Sequence, residues 1–205
     1  NARRGQATRA TVASSHAVDI EQLLSSQLGK LAPASGQAAV VKVVANLSKM
    51  RIDKKKFSKN FEGVLRWRNT VMVFATVDKL RPGVFGMGKL TADFTNNGQQ
   101  LVIKDMDAEG ASSIVQAMAS TKDGTRPVDS VLLYCRTGRT PYLFCGRLHA
   151  QGEPGHLEAT QSVWTLADHA SLVDNTLFNI LVASTEGGGS LPELNPAVGF
   201  GGPAL

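Results

Sequence analysis

Residues Val131–Leu148 read VLLYCRTGRTPYLFCGRL. Two apolar runs, VLLYC and PYLFCGRL, flank the turn-prone Thr137-Gly138-Arg139-Thr140. Short β-branched and aromatic runs around a glycine-bearing polar turn make a β-hairpin. Tyr134, Tyr142, Arg136, Arg139 and Arg147 all lie within it. A turn centred between Gly138 and Arg139 sets Cys135 opposite Tyr142 and Cys145 opposite Leu132. That register keeps the chain's two cysteines apart, so no disulfide is expected and a reducing compartment is the default.

Upstream, Val71–Leu90 echoes the hairpin as VMVFATVDKLRPGVFGMGKL. Val71–Ala75 matches Val131–Cys135 at an offset of 60, but the offset drifts to 58 by Leu90. With fewer than three repeats, two hairpins obeying the same physics explain the echo as well as a duplication does. Thr70–Val77 and Val84–Phe94 are therefore expected to pair through Leu80-Arg81-Pro82-Gly83. Asn96-Asn97-Gly98 signals a tight turn into a strand over Gln99–Lys104. Ala159–Leu166 is a further expected strand. Asp107–Ser120 has helical spacing, and Asp168–Ala183 leans helical through Leu172, Leu177, Ile180 and Leu181.

Ahead of these strands, Ile20, Leu23, Leu24, Leu28 and Leu31 recur at helical spacing. Leu31–Gly36 contains Pro33 and breaks that helix. Val40, Val41, Val43, Val44 and Leu47 form a second stripe over Gln37–Met50. Two helices so close in sequence are expected to pair antiparallel. The expected fold class is α+β: an N-terminal helical pair, then a twisted antiparallel β-sheet or partial barrel with one or two helices. The expected divisions are a basic arm over 1–17, a helical and basic segment over 18–68, a β-rich domain over 69–183 and a tail over 184–205. The last twenty residues hold six Gly and three Pro and cannot bury a core.

The chain has 205 residues, 42% of them hydrophobic and 19% charged, which suits a globular protein with a real core. No apolar run approaches the roughly 18 residues of a membrane-spanning helix. The formal charge of +5 divides unevenly. Residues 1–89 carry 16 Lys and Arg against 5 Asp and Glu, and residues 90–205 carry 6 against 12. A front half at +11 and a back half at −6 suit a polyanionic partner, RNA most simply, or an acidic protein surface. The arm NARRGQATRATVASSHA holds Arg3, Arg4 and Arg9 with no acid before Asp19. That composition is expected of the remnant of an organellar transit peptide, chloroplast first and mitochondrion as the alternative; a basic arm that contacts RNA is the other reading.

The strongest chemical signal is basic-aromatic interleaving before Thr70. Lysines and arginines neutralise phosphates, and aromatic faces stack on unpaired bases. The expected polyanion contacts are Lys54, Lys55, Lys56, Lys59, Arg66, Trp67 and Arg68, with Arg136 and Arg139 at the hairpin turn. Other motifs fall short of chemistry. Gly83–Thr91 imitates a phosphate-binding loop, but Leu90 stands where Ser or Thr binds Mg²⁺, and KLTADFTNNG reads as strand and turn instead of helix. Cys135, Cys145, His149 and His156 fit no zinc spacing. Asp105, Asp107 and Glu109 suit a helix start better than a metal. No catalytic residue, metal or cofactor is expected.

Residues from about Leu101 to Leu172 resemble a domain of unknown function found at the ends of some bacterial helicase and restriction-type proteins. The likeness lies in VLLYCRTGRTPYLFCGRLHA, Val131–Ala150, and SVWTL, Ser162–Leu166. That domain shares an apolar strand, an arginine-bearing turn, a strand of the form Pro-aromatic-x-Phe-x-Gly-Arg, and a strand with Trp and Leu. No helicase core is present here. The resemblance implies an accessory, nucleic-acid-associated β-module without chemistry of its own. The expected function is thus a non-enzymatic organellar subunit that binds RNA or another polyanion within a larger assembly. The alternative is a protein–protein scaffold of an organellar complex, photosynthetic or ribosomal, docked to other subunits through its basic arm and its tail.

Overall fold

A computed structural model of the chain describes residues 11–12, 17–50, 63–77, 90–105, 114, 128, 130–151 and 161–186. Among these residues the order is β1 (Thr11–Val12), α1 (Ile20–Gln27), α2 (Gln37–Leu47), β2 (Val64–Arg66), β3 (Thr70–Thr76), β4 (Leu90–Thr95), β5 (Gln100–Asp105), β6 (Ser130–Arg136), β7 (Leu143–Ala150), β8 (Gln161–Leu166) and α3 (Thr176–Glu186). A 3-10 turn over His169–Ser171 precedes α3. The first ten residues, the tail from 187 and, except for Ile114, the expected helix over 107–120 lie outside the described residues.

Six strands close into a barrel in the order β3-β4-β5-β8-β7-β6, and β6 returns to β3. The expected antiparallel sheet is instead mixed. β4–β5, β5–β8, β8–β7 and β7–β6 are antiparallel, whereas β3 runs parallel to both of its barrel neighbours. β4 does not return against β3 as a hairpin. It meets β3 in parallel at the single pair Thr76↔Thr91, while β2 covers Val71–Val73 on the same edge. The upstream echo has a different meaning. Val71–Ala75 lies beside Val131–Cys135 in register, each residue paired with the one 60 positions later. Two adjacent strands share one environment on each face, so they share one pattern.

That environment explains why every residue of β3 is buried. Val71, Val73 and Ala75 point into the barrel with Val131, Leu133 and Cys135 of β6. Met72 and Phe74, with Leu132, Tyr134 and Phe144, face outward, where Leu23 of α1 and Val40, Val41 and Val44 of α2 cover them. A strand buried on both faces reads as a continuous apolar run. β4, covered on one face only, alternates buried and less buried positions. At one end of the barrel, α3 inserts Phe178, Leu181 and Val182 into the core. Phe178 meets Phe94 edge-on at 5.5 Å, and Thr185 Oγ1 donates to the Phe94 carbonyl. The Asn96-Asn97-Gly98 turn has positive φ throughout, and Gly98 lies so close to α3 that a Cβ would sit 2.7 Å from Val182.

The hairpin register departs from expectation by one residue near the turn and by two beyond a bulge. Cys135 faces Leu143 and Leu132 faces Arg147, with a bulge opposite Leu133 and Tyr134 that leaves Cys145 as the extra residue. Gly146 has φ +94°, and a Cβ there would lie 2.6 Å from Asp168 Oδ2. The Asp168 carboxylate accepts from the Arg147 backbone N–H at 2.7 Å and from Arg147 Nε and Nη2 at 3.1 and 2.6 Å. Glycine therefore lets the backbone approach a bidentate ion pair that fixes the bulge. Among the described residues no helix is long and apolar enough to cross a membrane.

Candidate functional site

β3 and β6 run side by side from Thr70↔Ser130 to Thr76↔Arg136. Even-numbered side chains of both strands lie on the outward face, so the two ends of this ladder each carry a polar pair. At the first end the pair is satisfied. Thr70 Oγ1 donates to the Ser130 carbonyl at 2.9 Å and accepts from Ser130 Oγ at 3.0 Å. At the second end it is not. Thr76 is 1% exposed, and neither its Oγ1 nor the buried Nε of Arg136 has a hydrogen-bond partner among the described residues.

The rest of Arg136 is held in place. Its carbonyl accepts from the Val77 N–H at 2.8 Å, which extends the ladder. Its guanidinium carbon lies 4.6 Å from the centre of the Tyr142 ring, in cation–π range. Tyr142 is buried, and the side chain of Gln37, the first residue of α2, lies beside its hydroxyl. Burial raises the pKa of this phenol, while Arg136 and Gln37 pull it the other way. The ring stacks further inward. Phe74 meets Tyr142 edge-on at 5.3 Å and Tyr134 face-on at 5.4 Å, and Tyr134 stacks on Phe144 at 4.8 Å. Aromatic pairs of this kind add about 0.5–1.5 kcal/mol each beyond their buried area. Arg136 thus rests on a rigid platform. The turn beyond it is closed by Thr140 Oγ1, which donates to the Thr137 carbonyl, and it leaves Arg139 exposed.

The other expected contacts are placed differently. Lys54, Lys55, Lys56 and Lys59 lie outside the described residues. Trp67 is 1% exposed, and its Nε1–H donates to Met72 Sδ at 3.2 Å, so its ring is core and offers no face to a base. Arg66 is 4% exposed and sits in β2 against β3. Of this trio only Arg68 reaches solvent. It precedes Thr70, whereas Arg136 pairs with Thr76, so six strand residues, roughly 20 Å at about 3.3 Å each, separate the two ends. Arg68 and the hairpin arginines therefore do not share one patch. Exposed Lys30, Lys42 and Lys49 border or lie on the helices that cover the barrel. Sequence reasoning missed these lysines because they stand singly, and it missed Thr76 because its setting depends on a strand 60 residues away.

Among the described residues the remaining motifs yield no site; residues 83–89, Asp107, Glu109 and His156 lie outside them. Leu90 and Thr91 of the Gly83–Thr91 stretch open strand β4 and not a helix. Cys135 and Cys145 are buried free thiols in contact with one another. Burial first, and then the neighbouring thiol, raise the pKa of Cys135, so it stays protonated. Among the described residues no group of three or more His, Cys, Asp or Glu could hold a metal. A cleft lined by Gln27, Lys30, Val40, Tyr134 and Phe144 has a volume near 10 Å³, room for one water. Compared with known families, with curated proteins and with solved structures, the chain matches none.

Proposed function

We propose that the protein is a non-enzymatic accessory subunit that binds a polyanion, with RNA as the first candidate. The observation that carries this reading is the state of the front-half cations. Exposed Lys30, Lys42, Lys49 and Arg68 form no ion pair among the described residues. The ion pairs between described residues are Lys104–Asp93 and Arg147–Asp168, and both belong to the acidic back half. The chain's own described carboxylates therefore leave these four cations available to an external anion. In this reading α1 and α2 act as an antiparallel pair that presents Lys30, Lys42 and Lys49, with Arg136 and Arg139 at its border; Lys54, Lys55, Lys56 and Lys59, which follow α2 in sequence, are proposed as further contacts. The likeness of residues 101–172 to a helicase-appended domain supports an accessory role, and the composition of the first 17 residues supports an organelle, the chloroplast first.

The test is binding of a single-stranded oligoribonucleotide across a salt series. Affinity should fall log-linearly with salt, with a slope near −0.7 per neutralised phosphate. Absence of binding at low salt, or binding indifferent to salt, refutes the proposal. Recovery of the native protein with acidic subunits and no nucleic acid turns the same cations into a protein-docking surface.

A further inference from the structure

The geometry points to a phosphate-binding site at the C-terminal ends of β3 and β6, formed by Arg136 and Thr76 on the Tyr142 platform. This rests on reading the protein as an anion binder, but not on RNA being the anion. Buried polar groups in folded proteins are nearly always hydrogen-bonded, and an unpaired one calls for an explanation. Here two stand on directly paired residues, Thr76 Oγ1 and Arg136 Nε, on neighbouring strands and one face. One belongs to a permanent cation, so the acceptor that suits both is an anion.

The number of donors narrows the class. An arginine fork engages two oxygens side by side. A carboxylate has only two, and both are then used. An internal phosphodiester likewise has two non-bridging oxygens. A terminal phosphate monoester has a third, available to the hydroxyl on the adjacent strand about 4.8 Å away. Inorganic phosphate meets the same requirement. Both buried atoms are shielded from solvent, so access requires the half-exposed Arg136 side chain to turn on its flexible stem while Tyr142 and Gln37 stay fixed. The strand ends place the site where backbone approaches a ligand in many sheets, just beyond the carboxyl ends of parallel strands.

The probe is inorganic phosphate, added to the full chain and compared with chloride at equal ionic strength. Phosphate should raise the melting temperature of the parent protein. It should not raise that of Thr76→Val, which keeps the shape and removes the hydroxyl, or of Arg136→Lys, which keeps the charge and removes the fork. An absent increment in the parent, or an equal increment in all three proteins, overturns the site. A second arm compares oligoribonucleotides with a 5′-phosphate and a 5′-hydroxyl. Several-fold tighter binding of the phosphorylated form, lost in Arg136→Lys, assigns the phosphate to a nucleic-acid end. Equal binding of the two, with the phosphate increment retained, assigns it to a small phosphorylated ligand. Salt-dependent RNA binding without any phosphate increment sinks this site and leaves the polyanion reading standing.

Discussion

The same substitution at the two ends of β3 should change stability in opposite directions. Thr70 and Thr76 are 0% and 1% exposed, both face outward, and both pair with β6. Thr70→Val removes a hydroxyl that donates to the Ser130 carbonyl and accepts from Ser130 Oγ. Ser130 is only half-buried and can turn to water, so the loss is close to that of an ordinary hydrogen bond, about 1–2 kcal/mol. Thr76→Val removes a hydroxyl that has no partner among the described residues. A buried unsatisfied group costs about 1–3 kcal/mol, so its replacement by a methyl of similar size should stabilise by about 1–2 kcal/mol. For a chain of this length each kcal/mol moves the melting temperature by about 2–4 °C. The two variants should therefore straddle the parent, with Thr70→Val below and Thr76→Val above. The assay is urea unfolding in phosphate-free buffer, where both should keep the parent m-value because neither changes the exposed area. If Thr76→Val destabilises as much as Thr70→Val, its hydroxyl has a partner after all, and the argument for an oxyanion at that end fails with it.

Three further outcomes follow from the packing. Gly146→Ala forces φ +94° on an L side chain and drives a Cβ to 2.6 Å from Asp168 Oδ2, so calorimetry should show a loss of roughly 2–3 kcal/mol. Burial pushes the Asp168 carboxyl up, but hydrogen bonds and charge from Arg147 outweigh it and hold the group below the usual carboxylate value. A lowered folded pKa gives stability that is present above the unfolded value and lost as pH falls through the folded one. Asp168→Asn should accordingly flatten the acid limb of a stability–pH curve, and an unchanged limb would show that the ion pair contributes nothing there. Trp67→Phe should lower the melting temperature, because it deletes the bond to Met72 Sδ and part of a fully buried ring, and should leave RNA affinity unchanged. A fall in affinity at unchanged stability would restore Trp67 as a stacking residue.

Local pattern revealed what local physics determines. The β6–β7 hairpin, the Asn96-Asn97-Gly98 turn and the strand over Thr70–Val77 were all legible, because turn chemistry and an unbroken β-branched run act within a few residues. The hairpin register was not, because the bulge at Gly146 answers to a carboxylate 22 residues later. The pairing of β3 with β4 was misread for a related reason. Two apolar runs joined through Pro82-Gly83 suggest a hairpin, yet the partner that matches Val71–Ala75 residue for residue is β6. The echo already contained that register as its offset, although similarity alone does not distinguish strands that resemble each other from strands that touch. At the candidate site, Arg136 was visible as a cation beside a turn. Arg66 was not recognisable as core, because its burial comes from β3; a lone Trp67 does read as core, and only its place in the basic cluster argued for a contact.

The contrast between the ends of the β3–β6 ladder bears on where function resides. Both strands are covered on two faces, so a polar side chain on either must find a partner inside the protein or be retained for another reason. At Thr70 the partner is Ser130, the first residue of β6, and the pair closes on itself. At Thr76 the facing residue is an arginine, which brings only donors and cannot accept from the threonine. That choice leaves a hydroxyl and a guanidinium Nε–H on paired residues, neither of them hydrogen-bonded among the described residues, and it is coupled to a buried ring, Tyr142, under the guanidinium. Stability alone would favour an acceptor or an apolar residue at position 136. A cation kept on an aromatic platform beside an unsatisfied hydroxyl is arranged for an anion that arrives from outside, and the rigidity of the four packed rings that form the platform lowers the ordering cost of receiving one.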